Sequence, residues 1–90
     1  MDDPALKFAG QGLKYARRVG GSITSWLRTP ARNRIVGGVH NSRHLDALAM
    51  DVAPDPGGFV LSREARYEIA AGLGVRLIIE GDHDHLQPLT

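Results

Sequence analysis

The sequence predicts an α+β domain with two main helices and a small, mostly antiparallel sheet. Three observations support that fold class. The chain has 90 residues, enough for one domain with a thin core, so residues 1–90 are treated as a single domain. Two segments show helical spacing of apolar residues. The segments between and after them are short and rich in β-forming residues, which gives the order helix, strand, loop, strand, helix and strands.

The two helices are predicted from their start and stop residues. Asp3-Pro4 begins the first helix and Gly20-Gly21 ends it. Ser62 caps the second helix, which Gly72 and Gly74 end. The predicted apolar face of the first helix is Leu6, Ala9, Leu13 and Ala16. The predicted apolar face of the second is Ala65, Ile69 and Leu73.

The predicted strands are short. Residues 22–27, 48–53 and 75–79 have the composition of strands, and residues 83–86 extend the last of these or pair with it. Residues 29–38 are predicted to form a turn or short helix followed by a loop. The strongest turn signal is Pro-Asp-Pro-Gly-Gly at residues 54–58.

Composition excludes several kinds of site. The chain has no cysteine, so disulfides, thiolate zinc sites and thiol nucleophiles are absent together. Eight of its 11 Lys and Arg residues lie between Lys7 and Arg43, which raises the alternative of nucleic-acid binding. Because this region lacks interleaved aromatic residues and any nucleic-acid-binding motif, we expect no nucleic-acid partner. We interpret the basic residues as a cationic wall that faces an anionic ligand.

Two clusters of histidines and acids carry the candidate chemistry, at residues 42–51 and 80–87. Histidine and carboxylate are the zinc ligands that remain without cysteine, and a catalytic zinc has three protein ligands plus water. Residues two apart on a strand face the same side, about 6–7 Å apart, so His83 and His85 would point into one pocket. Asp84 would face the other side of that strand. The alternative is that these histidines form a solvated strand end.

Three motifs, in this order, resemble those of the M15 peptidases, zinc enzymes that cut cell-wall peptides containing D-amino acids. The first-zinc motif of the family resembles Ser42-x-His44-x-x-x-x-Ala49-x-Asp51, with Ala47 in place of its glycine. Upstream, the family's motif is similar to Ser25-Trp26-Leu27-Arg28-Thr29-Pro30 followed by Asn33 and Gly37-Gly38. The closing acid-x-x-His motif resembles Asp82-x-x-His85-Leu86-Gln87. Together the motifs cover roughly residues 22–87.

This resemblance implies a hedgehog/DD-peptidase-like fold and a single bound zinc ion. The implied zinc ligands are His44, Asp51 and His85. Asp82 would be the general base, and His83 would stabilise the oxyanion or the leaving group.

Two further points follow from the same motifs. Glu80-x-x-His83 also satisfies the acid-x-x-His pattern, so the register with Glu80 and His83 stays open. Arg28 would bind the substrate's carbonyl or carboxylate, because its planar guanidinium suits that geometry, and Ser42 would hold substrate or cap its loop.

The implied function is zinc-dependent hydrolysis of peptidoglycan stem peptides, as a carboxypeptidase or an endopeptidase. The first residues lack an apolar signal-peptide core, and no apolar run approaches a membrane span. We therefore expect synthesis in the cytoplasm, no membrane partner, and delivery to the wall by another factor, as suits a phage lysin or a virion-associated protein. The rival interpretation is a non-catalytic zinc module closed by four protein ligands, His44, Asp51, His83 and His85.

Overall fold

A computed structural model of the chain describes residues 4–28 and 48–89, without the side chains of residues 27 and 28. The described elements are α1 (Pro4–Val19), β1 (Gly21–Arg28), β2 (Leu48–Pro54), α2 (Arg63–Leu73), β3 (Val75–Ile79) and β4 (Asp84–Pro88). The four strands form one antiparallel sheet in the order β1-β2-β4-β3. The predicted α+β fold class is therefore confirmed. The turn or short helix predicted at residues 29–38 lies outside the described residues.

Helix α2 begins where its capping signal predicts. The Ser62 side chain accepts a hydrogen bond from the Ala65 amide at 3.2 Å, which satisfies one of the free amides of the first turn. Gly74 follows the helix in the left-handed conformation with φ 80°, which a residue without a Cβ adopts readily. The prediction that Gly72 also ends the helix is wrong, because the helix continues to Leu73 and the reversal comes at Gly74.

The buried face of α1 differs from the predicted one. The residues that face the core are Phe8, Gly12, Tyr15, Ala16 and Val19. Leu6 and Leu13 are exposed, so the prediction that they face the core is wrong. Both faces of α1 carry apolar residues at helical spacing, and burying the two aromatic rings removes more surface from water than burying two leucines. Neither described helix has the length and apolarity needed to cross a membrane.

Both helices pack on one face of the sheet. The strand residues in this core are Leu48, Met50, Val52, Val75, Leu77 and Leu86. Because side chains alternate along a strand, Asp51 and His85 lie on the opposite, open face, and both are partly exposed. The register places Asp51 opposite His85, on the two central strands. The fold thus brings Asp51, from the first polar cluster, and the second cluster together on a face of the sheet that no described element covers.

Candidate metal centre

Strands β2 and β4 position the first pair of polar side chains. Asp51 and His85 are direct cross-strand neighbours. His85 Nδ1 lies 3.0 Å from Asp51 Oδ1. Their chain neighbours Met50 and Leu86 are buried on the other side of the sheet, so the pleat fixes the two polar side chains on the open face.

The turn between β3 and β4 adds Glu80 and His83. The Glu80 amide donates a hydrogen bond to the His83 carbonyl at 2.9 Å, which closes the turn. Gly81 within it has φ 75°, a conformation that favours glycine. The turn brings Glu80 Oε1 to 3.1 Å from His83 Nε2. His83 Nε2 also lies 3.7 Å from Asp51 Oδ1, so the turn and the central strands meet at one point.

We call Asp51, Glu80, His83 and His85 the open-face cluster. Asp51, Glu80 and His83 each place one donor atom within 4.8 Å of the others. His85 Nδ1 lies 3.9 Å from Glu80 Oε1, in addition to its contact with Asp51. Donor atoms around a tetrahedral zinc at about 2.0–2.1 Å are about 3.3 Å apart. The separations among Asp51, Glu80 and His83 are therefore compatible with a shared metal ion, and His85 contacts two of these three residues.

Three outer contacts orient the cluster. The Ser25 hydroxyl donates to Asp51 Oδ2 at 3.3 Å. The Gln87 amide donates to His85 Nε2 at 3.2 Å. His83 Nδ1 donates to Asp82 Oδ1 at 2.8 Å. Partners of this kind fix the orientation of metal ligands and are part of a working site.

Hydrogen bonding also shifts the pKa values of two side chains, His83 and Asp82, in the metal-free protein. The bond to Asp82 raises the pKa of His83 above its ordinary value of 6.5, against a smaller opposing effect of burial. The same bond, helped by a backbone hydrogen bond, lowers the pKa of Asp82. His83 therefore holds a proton more readily than a free histidine, and a cation at this imidazole has to compete with that proton.

The structure brings together three of the residues predicted for the site, Asp51, His83 and His85. The predicted general base, Asp82, has a side chain that is 94% exposed, and it contacts the ring nitrogen of His83 that does not contact Glu80. All these roles stay predictions.

Three predicted site residues are not placed by the structure. His44 and Ser42 lie outside the described residues. For Arg28 only the backbone is described, paired with Leu48 at the end of β1.

Sequence reasoning assigned no role to Ser25 or Gln87. Ser25 contacts Asp51 only because β1 and β2 pair in a register that changes between Ile23 and Ser25. Periodicity alone does not reveal such a shift. For Gln87 a signal existed, since it lies two residues after His85 on a strand and must share its face.

Comparison with known proteins adds one finding. No curated protein and no solved structure matches the chain. A family model does match: Peptidase M15, over residues 12–86, which is well over half of the chain. The match includes Asp51, Glu80, His83 and His85 and runs from α1 into β4. The chain therefore belongs to the peptidase M15 family.

Proposed function

We propose that this chain is a zinc peptidase that hydrolyses peptide bonds in peptidoglycan stem peptides, as a carboxypeptidase or an endopeptidase, once delivered to the cell wall. One observation supports the metal above all others. In a chain of the M15 family, two carboxylates and two imidazoles lie together on the face of the sheet opposite the described helices, with imidazole–carboxylate separations of 3.0, 3.1, 3.7 and 3.9 Å. Two carboxylates this close repel each other, and a bound cation would relieve that repulsion.

The proposed ligands are Asp51 and His85 on the sheet together with His44. Asp51 and His85 are suited to this role because neighbouring strands fix them and the Ser25 hydroxyl orients Asp51. Zinc bound there would lower the pKa of a water toward about 7 and polarise the scissile carbonyl.

Two carboxylates compete for the role of general base. The geometry favours Glu80, because its Oε1 lies 3.1 Å from His83 Nε2 and 3.9 Å from His85 Nδ1, within the cluster. Asp82, the base predicted from the closing motif, contacts the outer nitrogen of His83 instead. We therefore propose that Glu80 takes the proton from the attacking water and returns it to the departing amine.

This assignment gives Asp82 a different task. Its hydrogen bond to Nδ1 fixes the orientation of the His83 ring and supports a proton on that ring. His83, with its Nε2 aimed into the cluster, then stabilises the negative charge that develops on the carbonyl oxygen. Arg28 and Ser42 are proposed to hold the substrate.

A second function is favoured by the number of donors. Four protein ligands close a zinc site and leave no position for water. Asp51, Glu80 and His83 form a group of three donors, and His85, which contacts Asp51, would supply the fourth. Such a zinc would stabilise a thin core and hydrolyse nothing. The two functions differ in activity and not in metal content, so both must be measured.

The test is zinc content and release of fragments from purified peptidoglycan, for wild type and three variants. We expect wild type to hold one zinc and to cut. Glu80→Gln should keep zinc and lose at least about 100-fold in rate, the range of a general base. Asp82→Asn, the matched control, should keep zinc and lose less. His85→Ala should lose both zinc and activity.

Each other outcome selects a different conclusion. If Asp82→Asn loses the larger factor, the base is Asp82 and the register predicted from the motif holds. If wild type binds zinc tightly and releases no fragment, the zinc is structural. If wild type binds no divalent metal, the proposed function is wrong.

A further inference from the structure

A second polar cluster lies on the covered face of β4, directly behind the metal centre. Asp84, between the two histidines in the chain, points into the core and is 0% exposed. The Tyr15 hydroxyl donates a hydrogen bond to Asp84 Oδ2 at 2.6 Å. Arg66 Nε lies 3.5 Å from the same oxygen. We call Tyr15, Asp84 and Arg66 the buried triad.

The buried triad joins three separate elements. Tyr15 belongs to α1, Arg66 to α2 and Asp84 to β4, and all three residues are buried. The Arg66 guanidinium carbon also lies 4.2 Å above the centre of the Phe59 ring, which holds its plane in place. Both helices that cover the sheet are thus attached to the one strand residue that separates His83 from His85.

A buried ion pair such as that in the triad is a weak source of net stability. Removing a carboxylate and a guanidinium from water is costly, and apolar residues of similar size are often equally stable or more stable in such positions. Asp84 Oδ1 and Arg66 Nε have no hydrogen-bond partner among the described residues, so the cost is only partly offset. Unlike apolar packing, however, a short charged hydrogen bond fixes direction and position.

Through Asp84, the buried triad fixes the position of β4, and β4 and the turn before it carry both histidines of the metal centre. Asp84 pairs with Val52 on β2 and with Ile79 on β3. A shift of β4 by one residue would turn its histidines into the core and Asp84 onto the open face. Smaller displacements matter too, because partners that orient metal ligands change affinity by about 10–100-fold when they are removed.

We propose that Tyr15, Asp84 and Arg66 are positioning residues for the metal centre, which hold β4 so that His83 and His85 meet Asp51 at ligand distance. The buried triad touches neither metal nor substrate and acts through the backbone of β4. The proposal rests on the zinc site of the proposed function.

The test is zinc affinity, measured by competition with a chromophoric chelator, together with the visible spectrum of the cobalt-substituted protein. Tyr15→Phe removes a single oxygen and Asp84→Ala removes the whole carboxylate. Both should weaken zinc binding at least about tenfold and change the cobalt spectrum. Asp84→Asn still accepts the Tyr15 hydrogen bond and should recover most of the affinity.

The matched control is Val19→Ala, a core residue on the same helix as Tyr15 and equally inaccessible. It should lower the melting temperature and leave zinc affinity and the cobalt spectrum unchanged. If Asp84→Ala does not fold, Tyr15→Phe alone decides the question.

Three results would overturn the inference, and only the last of them also overturns the proposed function. If wild type binds zinc while Tyr15→Phe and Asp84→Ala bind it with wild-type affinity, the buried triad has no positioning role, and the proposed function is unaffected. The same holds if Val19→Ala weakens zinc binding as much as they do. If wild type binds no zinc, both proposals fail.

Discussion

The two faces of β4 carry acids in opposite electrostatic situations. On the covered face, Asp84 receives a hydrogen bond from Tyr15 and lies beside the cation of Arg66. Burial, with the hydrogen bond to Asp84, raises the pKa of Tyr15, so the phenol stays a neutral donor. The chain itself supplies a proton donor and a positive charge to Oδ2 of this acid, whereas Oδ1 has no hydrogen-bond partner among the described residues.

On the open face the chain supplies no permanent cation among the described contacts of the cluster. Asp51 and Glu80 aim carboxylate oxygens at the same point, and their partners there are imidazoles. Two like charges at this separation repel unless a proton or a metal ion lies between them. The comparison teaches that on one side of this strand a buried acid meets a phenol and a guanidinium, whereas on the other side two acids meet imidazoles, and no permanent cation, among the described contacts of the cluster.

The largest expected effect is a difference in the free energy of unfolding between variants of two adjacent residues of β4, Leu86 and His85. Leu86→Ala deletes a side chain that is fully buried and should lower the free energy of unfolding by about 2–5 kcal/mol. His85→Ala, next to it on the open face, should lower the metal-free value by less, about 1–2 kcal/mol, because a partly exposed group loses two hydrogen bonds. Urea unfolding in chelator measures both.

Zinc binding should show the reverse order. Leu86→Ala, where folded, should keep one zinc, and His85→Ala should keep none. The contrast between the faces breaks down if His85→Ala proves the more destabilising variant without metal, since the open-face cluster would then stabilise the fold by itself.

The next largest expected effect is a difference in stability between alanine substitutions at two glycines of α1. A Cβ at Gly12 would overlap the Met50 thioether on the covered side, so Gly12→Ala should destabilise the protein by about 1–2 kcal/mol after the gain in helix propensity. Gly10 has open space around it, and Gly10→Ala should stabilise by about 0.5–1 kcal/mol. Thermal unfolding of the pair checks both signs. Equal shifts would mean that the covered side is not close-packed at Met50.

Much of the fold follows from local signals. Ser62 sets the start of α2 through one side-chain hydrogen bond, and Gly74 sets its end through its left-handed conformation and an amide shared between two carbonyls. The alternation of β4 places Asp84 inward and its neighbours outward, as a period of two requires. These features depend on a few consecutive residues, and therefore the sequence predicts them.

Features that depend on distant partners were less predictable. The inward face of α1 is set by which side chains fill the space above Met50 and Val52, and the aromatic residues fill it better than Leu6 and Leu13. One turn at Gly81 directs the Glu80 side chain into the open-face cluster and leaves the Asp82 side chain outside it. Spacing along the chain allowed either acid to face the cluster, so the motif alone could not decide between them.

The smallest expected effect is a pH dependence confined to the open face. In metal-free protein the pKa of His83 lies above its value of 6.5 in the unfolded chain, chiefly through Asp82. The resulting stabilisation is fully present below about pH 6.5 and is lost as the pH rises through the folded pKa. The lowered pKa of Asp82 affects stability only in acid, below its ordinary value of 3.8. It therefore does not contribute to the loss of stability that is described for His83.

Melting temperatures in chelator at pH 5.5 and pH 8.5 test this difference. Between pH 5.5 and pH 8.5, wild type should lose more stability than His83→Gln does. Asp82→Asn should reduce that loss, because it removes the largest cause of the raised pKa of His83. Tyr15→Phe is the control on the covered face, since a phenol with a raised pKa stays neutral throughout this range. A pH dependence that Tyr15→Phe removes and His83→Gln leaves intact would place the titrating group in the covered network and reverse the contrast between the two faces.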